Sequence, residues 1–184
     1  PNNNRSFDSL YQSYNQKGDW AFGLLKTDRP HVAKVQGSYD MPWGTTVGLF
    51  AIFQSGIPWS SYLSWEGYSP VFFADRGDMG RTPFYTRLDL SLSHEFRIKN
   101  NRISLNANIS NLLNSDTVTD YWENVWRDDI SGFSDQQFFA GFDAYKLAAQ
   151  QKADGSTLRD NPLFGKPYGR LGARSVRLNA RLSF

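Results

Sequence analysis

The sequence predicts an all-β chain whose strands are built to cross a membrane as part of a larger barrel. Three observations carry that prediction. Apolar and polar residues alternate over runs of about 11–14 residues. Tight turns alternate with very long connections, and aromatic residues gather near the ends of the alternating runs.

The elements follow in order. Ala33, Val35, Gly37, Tyr39 and Met41 alternate with Lys34, Gln36, Ser38 and Asp40, which predicts a strand over 31–43 with one apolar and one wet face. A tight turn at Trp43-Gly44-Thr45 leads into a β-prone stretch, 46–59, whose alternation is poor because Leu49 to Phe53 run together. After a connection over 60–84, Leu88, Leu90, Leu92, Phe96 and Ile98 mark a strand at 85–98, interrupted only by His94. Lys99-Asn100-Asn101 then turns the chain into a strand at 102–112, marked by Ile103, Leu105, Ala107 and Ile109. The last strand, 174–184, alternates Val176, Leu178, Ala180, Leu182 and Phe184 with Ser175, Arg177, Asn179, Arg181 and Ser183.

Residues 113–173 form the longest connection, far beyond what a compact soluble domain usually holds. Within it, Ser134 followed by Gln137 fits a capping box. Phe138, Phe139, Phe142, Tyr145 and Ala149 fall at helical spacing before Gly155, so a short helix is expected over 135–152.

Composition narrows the function classes. The 184 residues include no cysteine, which excludes a disulfide scaffold, an Fe–S cluster and a thiol nucleophile. The longest apolar run, Val47 to Phe53, is too short for a membrane-spanning helix. Net charge is +2, with lysines and arginines scattered, so no nucleic-acid footprint is expected. The peculiarity is a mean hydropathy of −0.54 combined with 16% aromatic residues.

Alternation alone fits a β-sandwich as well as a membrane barrel. Three features favour the barrel. The polar faces carry many charges and amides. The clear strands, about 11–14 residues, are long enough for a tilted crossing, which takes roughly 9–11. Tyr39, Trp43, Trp59, Tyr62, Trp65, Phe84, Tyr85 and Phe184 lie near strand ends, as girdle aromatics do. Five strands fall short of the roughly eight that close a barrel, so further strands are expected from elsewhere. The opening Pro1-Asn2-Asn3-Asn4, with no Met and no leader, likewise suits a processed chain or a piece of a longer one.

Chemistry-bearing motifs are few. The long connections hold Trp65, Tyr68, Phe72 and Phe73, and then Tyr121, Trp122 and Trp126. Such rings either stack on a ligand or pack the loops together. Asp120, Glu123, Asp128, Asp129 and Asp135 lack the spacing of a calcium loop, and His31 and His94 lack paired metal-ligand spacing. No metal, cofactor or nucleophile–base set is therefore expected, and no enzymatic activity.

The segments YDMPWG (39–44), QSGIPWS (54–60), GDMGRTPFYTRLDLSLSHEFRI (77–98), NISNLLN (108–114) and FGKPYGRLGARSVRLNARLSF (164–184) resemble the C-terminal end of TonB-dependent outer-membrane receptors. They are most similar to the subgroup with a carboxypeptidase-regulatory-like N-terminal extension. The resemblance implies a bacterial outer-membrane barrel of about 22 strands around a plug domain, to which this chain supplies the last five. It places the turns at 43–46 and 99–102 in the periplasm and loops 60–84 and 113–173 outside the cell, with 1–30 mostly in a further extracellular loop. The implied partners are outer-membrane lipid, the remaining barrel and plug, the TonB complex acting through that plug, and the barrel-assembly machinery. Phe184, with Leu182, matches that machinery's C-terminal signal. The ligand is not implied, since 115–163 matches no segment of the family. A passive porin-like channel and a soluble carbohydrate-binding sandwich are the alternatives.

Overall fold

A computed structural model of the chain describes residues 10–65, 68–99 and 101–184. After a short 3-10 helix, Leu10–Ser13, come β1 (Val32–Asp40), β2 (Thr45–Gln54), β3 (Tyr62–Trp65), β4 (Tyr68–Phe72), β5 (Tyr85–Ile98) and β6 (Asn101–Ser110). They are followed by β7 (Val118–Tyr121), α1 (Asp135–Ala140), α2 (Ala144–Ala153), β8 (Pro167–Arg170) and β9 (Ser175–Ser183). The described chain is thus mostly β, with antiparallel sheets and two short helices.

The long strands form one five-stranded sheet in the order β1-β2-β5-β6-β9. Each pairs antiparallel with its neighbours. The sheet is open, with β1 and β9 as its edges. The long connections are more ordered than the sequence suggests: β3 pairs with β4 and β7 with β8 as two-stranded ribbons.

The chain divides into two compact units, one made of residues 29–56, 83–119 and 169–184, the other of 1–28, 57–82 and 120–168. The first is the sheet unit and the second holds most of the connections.

Turn chemistry explains the β1–β2 hairpin. Met41 N–H donates to the Thr45 carbonyl at 2.7 Å and Gly44 N–H to the Met41 carbonyl at 3.1 Å. Gly44 sits at φ +84°, a conformation that glycine adopts without strain. At the β5–β6 turn Lys99 takes φ 54°, and Asn100 lies outside the described residues.

The helix expected over 135–152 is two helices. The Ser134–Gln137 capping box opens α1 as the spacing predicts, with Ser134 N–H bonded to Gln137 Oε1 at 2.8 Å. Gly141, at φ +89°, then ends α1, and Asp143 caps α2 by accepting from the Tyr145 and Lys146 amides. Close approach fixes the break: a Cβ on Gly141 would lie 2.6 Å from the Lys17 carbonyl oxygen. Packing against residues distant in sequence therefore overrides the helical spacing of Phe142 and Tyr145.

The connection unit has its own core. Leu63, Trp65, Val71, Phe73, Trp126, Ile130, Phe133, Phe138, Ala144, Ala148 and Leu158 are all buried together. Trp65 stacks on Phe138 at 4.8 Å and on Phe133 at 5.1 Å, with Tyr11 edge-on at 4.7 Å. Offset and edge-on aromatic pairs add about 0.5–1.5 kcal/mol each beyond area burial.

Candidate functional site

Two features of the structure have functional geometry: the two faces of the sheet, and a carboxylate buried in the connection unit.

Residues paired directly across antiparallel strands point to the same face. Leu92 pairs with Val47 and Ala107, which pair in turn with Tyr39 and Leu178. The next row joins Gly37, Leu49, Leu90, Ile109 and Val176, and another joins His94, Leu105 and Ala180. One face is therefore apolar across all five strands. The poor alternation of 46–59 resolves here: Leu49, Ala51 and Phe53 join the apolar face, while Phe50 and Ile52 fall on the other, opposite Asp89 and Arg87. This apolar face is bare, with Leu178 75% exposed and Val176 60%.

His94 is polar on that face, as are Thr45, its cross-strand partner, and Thr86. Its Nδ1 is 2.7 Å from the Thr45 hydroxyl, and its ring meets Phe96 edge-on at 4.2 Å. Both contacts come from residues on the same face.

The opposite face carries Ser38, Ser91, Asn108 and Arg177 in one row and Glu95, Ser104 and Arg181 in another. Asp89 accepts two bonds from Arg87, at 2.9 and 2.6 Å, and one from the Asn111 amide at 2.8 Å.

Girdle aromatics divide in two. Tyr39, Trp43, Phe84 and Phe184 are exposed, Phe184 completely. Trp59 and Trp65 are buried in the connection unit, so they do not belong to a girdle. Tyr85 pairs with Gln54 on the polar face.

The loop aromatics divide in the same way. Trp65 is 1% exposed and Trp126 5%, so both rings pack the core and present no surface to a ligand. Tyr121 leans on Trp59 at 4.6 Å and is half-buried. Trp122 alone of these is exposed, at 37%, and meets exposed Tyr168 edge-on at 4.7 Å. The side chain of Tyr68 lies outside the described residues.

Glu123 is the buried charge. Its side chain is 3% exposed. Its oxygens accept from the Ser60 amide at 3.1 Å and the Tyr62 hydroxyl at 2.5 Å, and Lys26 forms an ion pair with it. Lys26 also approaches Asp120 at 3.4 Å. Burial pulls the Lys26 pKa down, but Glu123 and then Asp120 outweigh that and hold it above the ordinary lysine value. Burial, followed by the bond to Glu123, pushes the Tyr62 phenol up. Beside this cluster lies a pocket of about 260 Å³ walled by Leu24, Leu25, Pro70, Phe72 and Arg76. A carboxylate held by three partners from two distant segments ties those segments of the connection unit to its own.

Several of these residues escaped the sequence reading. Asn111, 2% exposed and at φ 51°, bonds the Ser115 and Gly172 carbonyls at 3.0 and 2.8 Å, and its Oδ1 accepts from Ser115 N–H. It ties the end of β6 to the start of β9, which gives NISNLLN a structural role. Segments 54–60 and 77–83 likewise bond each other: Trp59 N–H to the Gly80 carbonyl, Gly77 N–H to Ser60 Oγ, and Ile57 N–H to Thr82 Oγ1. Small hydroxyl and amide residues in turns were the available signal.

Among the described residues no cluster of three or more His, Asp or Glu side chains is arranged to hold a metal ion, and no helix is long and apolar enough to cross a membrane. No family model, curated protein or solved structure matches the chain.

Proposed function

We propose that the chain is the C-terminal part of a TonB-dependent outer-membrane receptor, which binds a scarce or large ligand and imports it with energy from the inner membrane. One observation carries this reading. Five strands sort their side chains into an apolar and a polar face, and the apolar face is left bare. A soluble sandwich would bury that face against a second sheet, whereas a bilayer covers it directly.

The dimensions agree. Leu88 to Ile98 spans about 34 Å along β5 at about 3.4 Å per residue. Tilted by about 45°, that becomes roughly 24 Å, close to the apolar band of about 25 Å on outer-membrane barrels. Exposed Tyr39, Trp43 and Phe184 then supply rings for the headgroup boundary. The open edges of the sheet call for further strands, since unpaired backbone groups are not tolerated in lipid. The ordered order and spacing of the sequence motifs supply the family.

Fractionation of cells making the full-length protein tests the reading. It is expected in outer-membrane vesicles, resistant to a carbonate wash and released only by detergent. A soluble monomer would overturn the membrane assignment. Steady ion conductance by the purified protein in a planar bilayer would favour a passive channel over a plugged receptor.

A further inference from the structure

We propose that the apolar face carries a seat for one diacyl glycerophospholipid, with an acyl chain lying over Ala107 and Ala180 and an ester carbonyl bound by His94. The inference rests on the barrel reading, in which this face meets the bilayer.

The apolar face is not of even height. On β6 it presents Ile103, Leu105, Ala107 and Ile109, and on β9 Val176, Leu178, Ala180 and Leu182. Ala107 pairs with Leu178, and Leu105 with Ala180. The two alanines are therefore diagonal neighbours, about 7–8 Å apart at Cα. One short side chain among longer ones on each strand makes a hollow of about 540 Å³, walled by Leu92, Leu105 and Leu178. Ser93, Asn106 and Asn179 also border it, but they alternate with the wall residues, so their side chains leave on the other face. The volume is that of a ligand pocket, roughly 300–1,000 Å³. Left unfilled, such a hollow forfeits dispersion contacts along its lining.

One end of the hollow is polar. Thr45 and His94 border it there, joined through the threonine hydroxyl and Nδ1. With the hydroxyl donating, the ring proton sits on Nε2. Nε2 has no hydrogen-bond partner among the described residues. A polar group that faces hydrocarbon without a partner is costly, and its retention there points to a ligand. A free anion would satisfy the imidazole and leave the hollow empty. A hydrocarbon alone would fill the hollow and leave Nε2 unpaired. A lipid ester, an acceptor joined to a long apolar chain, meets both needs.

The level of the site selects the lipid. Thr45 begins β2 beside the turn that holds exposed Trp43, and exposed Phe184 follows β9 at the same end of the sheet. Such rings mark the headgroup level. The barrel reading places this end at the periplasmic leaflet, which in an outer membrane is built of glycerophospholipid.

The test reconstitutes the full-length protein into vesicles of phosphatidylethanolamine and phosphatidylglycerol. A trace of the phosphatidylethanolamine carries a diazirine on one acyl chain, and peptide mass spectrometry maps the adducts after illumination. Adducts on Leu92, Leu105, Ala107, Leu178 and Ala180 should exceed those on Val35, Leu49 and Phe53 about fivefold, the preference that one net hydrogen bond supplies. The comparison residues are exposed on the β1–β2 half of the same face. His94→Phe keeps a ring, removes the donor and should bring the ratio near one. Ala107→Leu combined with Ala180→Leu fills the hollow and should do the same. Slower gel migration after heating would show that each variant had assembled.

Adducts spread evenly over the face of the parent protein would overturn the seat and leave the barrel reading standing. So would a fivefold preference that survives either variant. Adducts on none of these residues would mean that bilayer lipid does not reach the face, and would overturn the barrel reading and the seat together.

Discussion

The two compact units use apolar residues in opposite ways. In the sheet unit, Val35, Leu105, Val176, Leu178 and Leu182 point outward with nothing over them. In the connection unit, Leu63, Val71, Ile130 and Phe138 are sealed completely. The connection unit excludes water with its own aromatic core, as a globular domain does, whereas the sheet unit leaves large apolar side chains exposed, a face that the proposed reading assigns to lipid. The high aromatic content and low mean hydropathy of the chain then have separate sources. Rings fill the connection core and sit at strand ends, while serines, asparagines and charges line one face of the sheet.

Substitutions can break this contrast. The largest effect is expected from Phe138→Ala, which opens a cavity beneath Trp65 and should cost the connection unit about 3–5 kcal/mol. Near-ultraviolet circular dichroism during thermal unfolding would report it. Leu178→Ala should leave the same signal unchanged.

Next comes Leu178→Arg. Under the proposed barrel reading this position faces lipid, where a charge costs about 2–4 kcal/mol at the bilayer midplane, so the outer-membrane level of the full-length protein should fall. Asn179→Arg, one residue on and facing the other way, should not lower it. Equal losses would mean that the two faces share one environment.

Asn111→Ala removes a buried amide with three bonds and leaves carbonyls of Ser115 and Gly172 unpaired, at about 1–3 kcal/mol. Faster unfolding in urea, read by tryptophan fluorescence, is the expected result. Asn111→Gly keeps the φ > 0 conformation and loses the bonds, so it separates the two contributions.

The smallest effect is electrostatic. Arg159, through its side chain and its amide, holds Asp128 down to about 2. The folded pKa lies below the ordinary aspartate value, so the pair contributes above that value and is lost as pH falls through about 2. Carboxyl-carbon NMR titration should place the Asp128 midpoint there, and Arg159→Gln should return it toward the ordinary range.

What the sequence revealed follows from the range of each interaction. Strict alternation survives in β5, β6 and β9 because each residue's face is decided locally by the pleat. It blurred in β2, where Phe50 and Ile52 occupy the polar face beside Arg87 and Asp89, and only pairing with β5 resolves them. The Ser134 capping box was legible because it is contained in four residues. The break at Gly141 was not, because it depends on Lys17, more than a hundred residues earlier. Burial of Trp65 and Trp126 was equally hidden, since their neighbours Phe133, Phe138 and Tyr145 come from the far side of the connection. Glu123 read as one carboxylate in an acidic stretch, yet its partners Lys26, Ser60 and Tyr62 lie about 60–100 residues away.

The edge strands β1 and β9 each present one row of backbone donors and acceptors to no described neighbour. Under the proposed reading those rows pair with the remaining strands of the same polypeptide, so the unfolding midpoint of this sheet is a property of the whole closed barrel, whereas the connection unit has an aromatic core of its own.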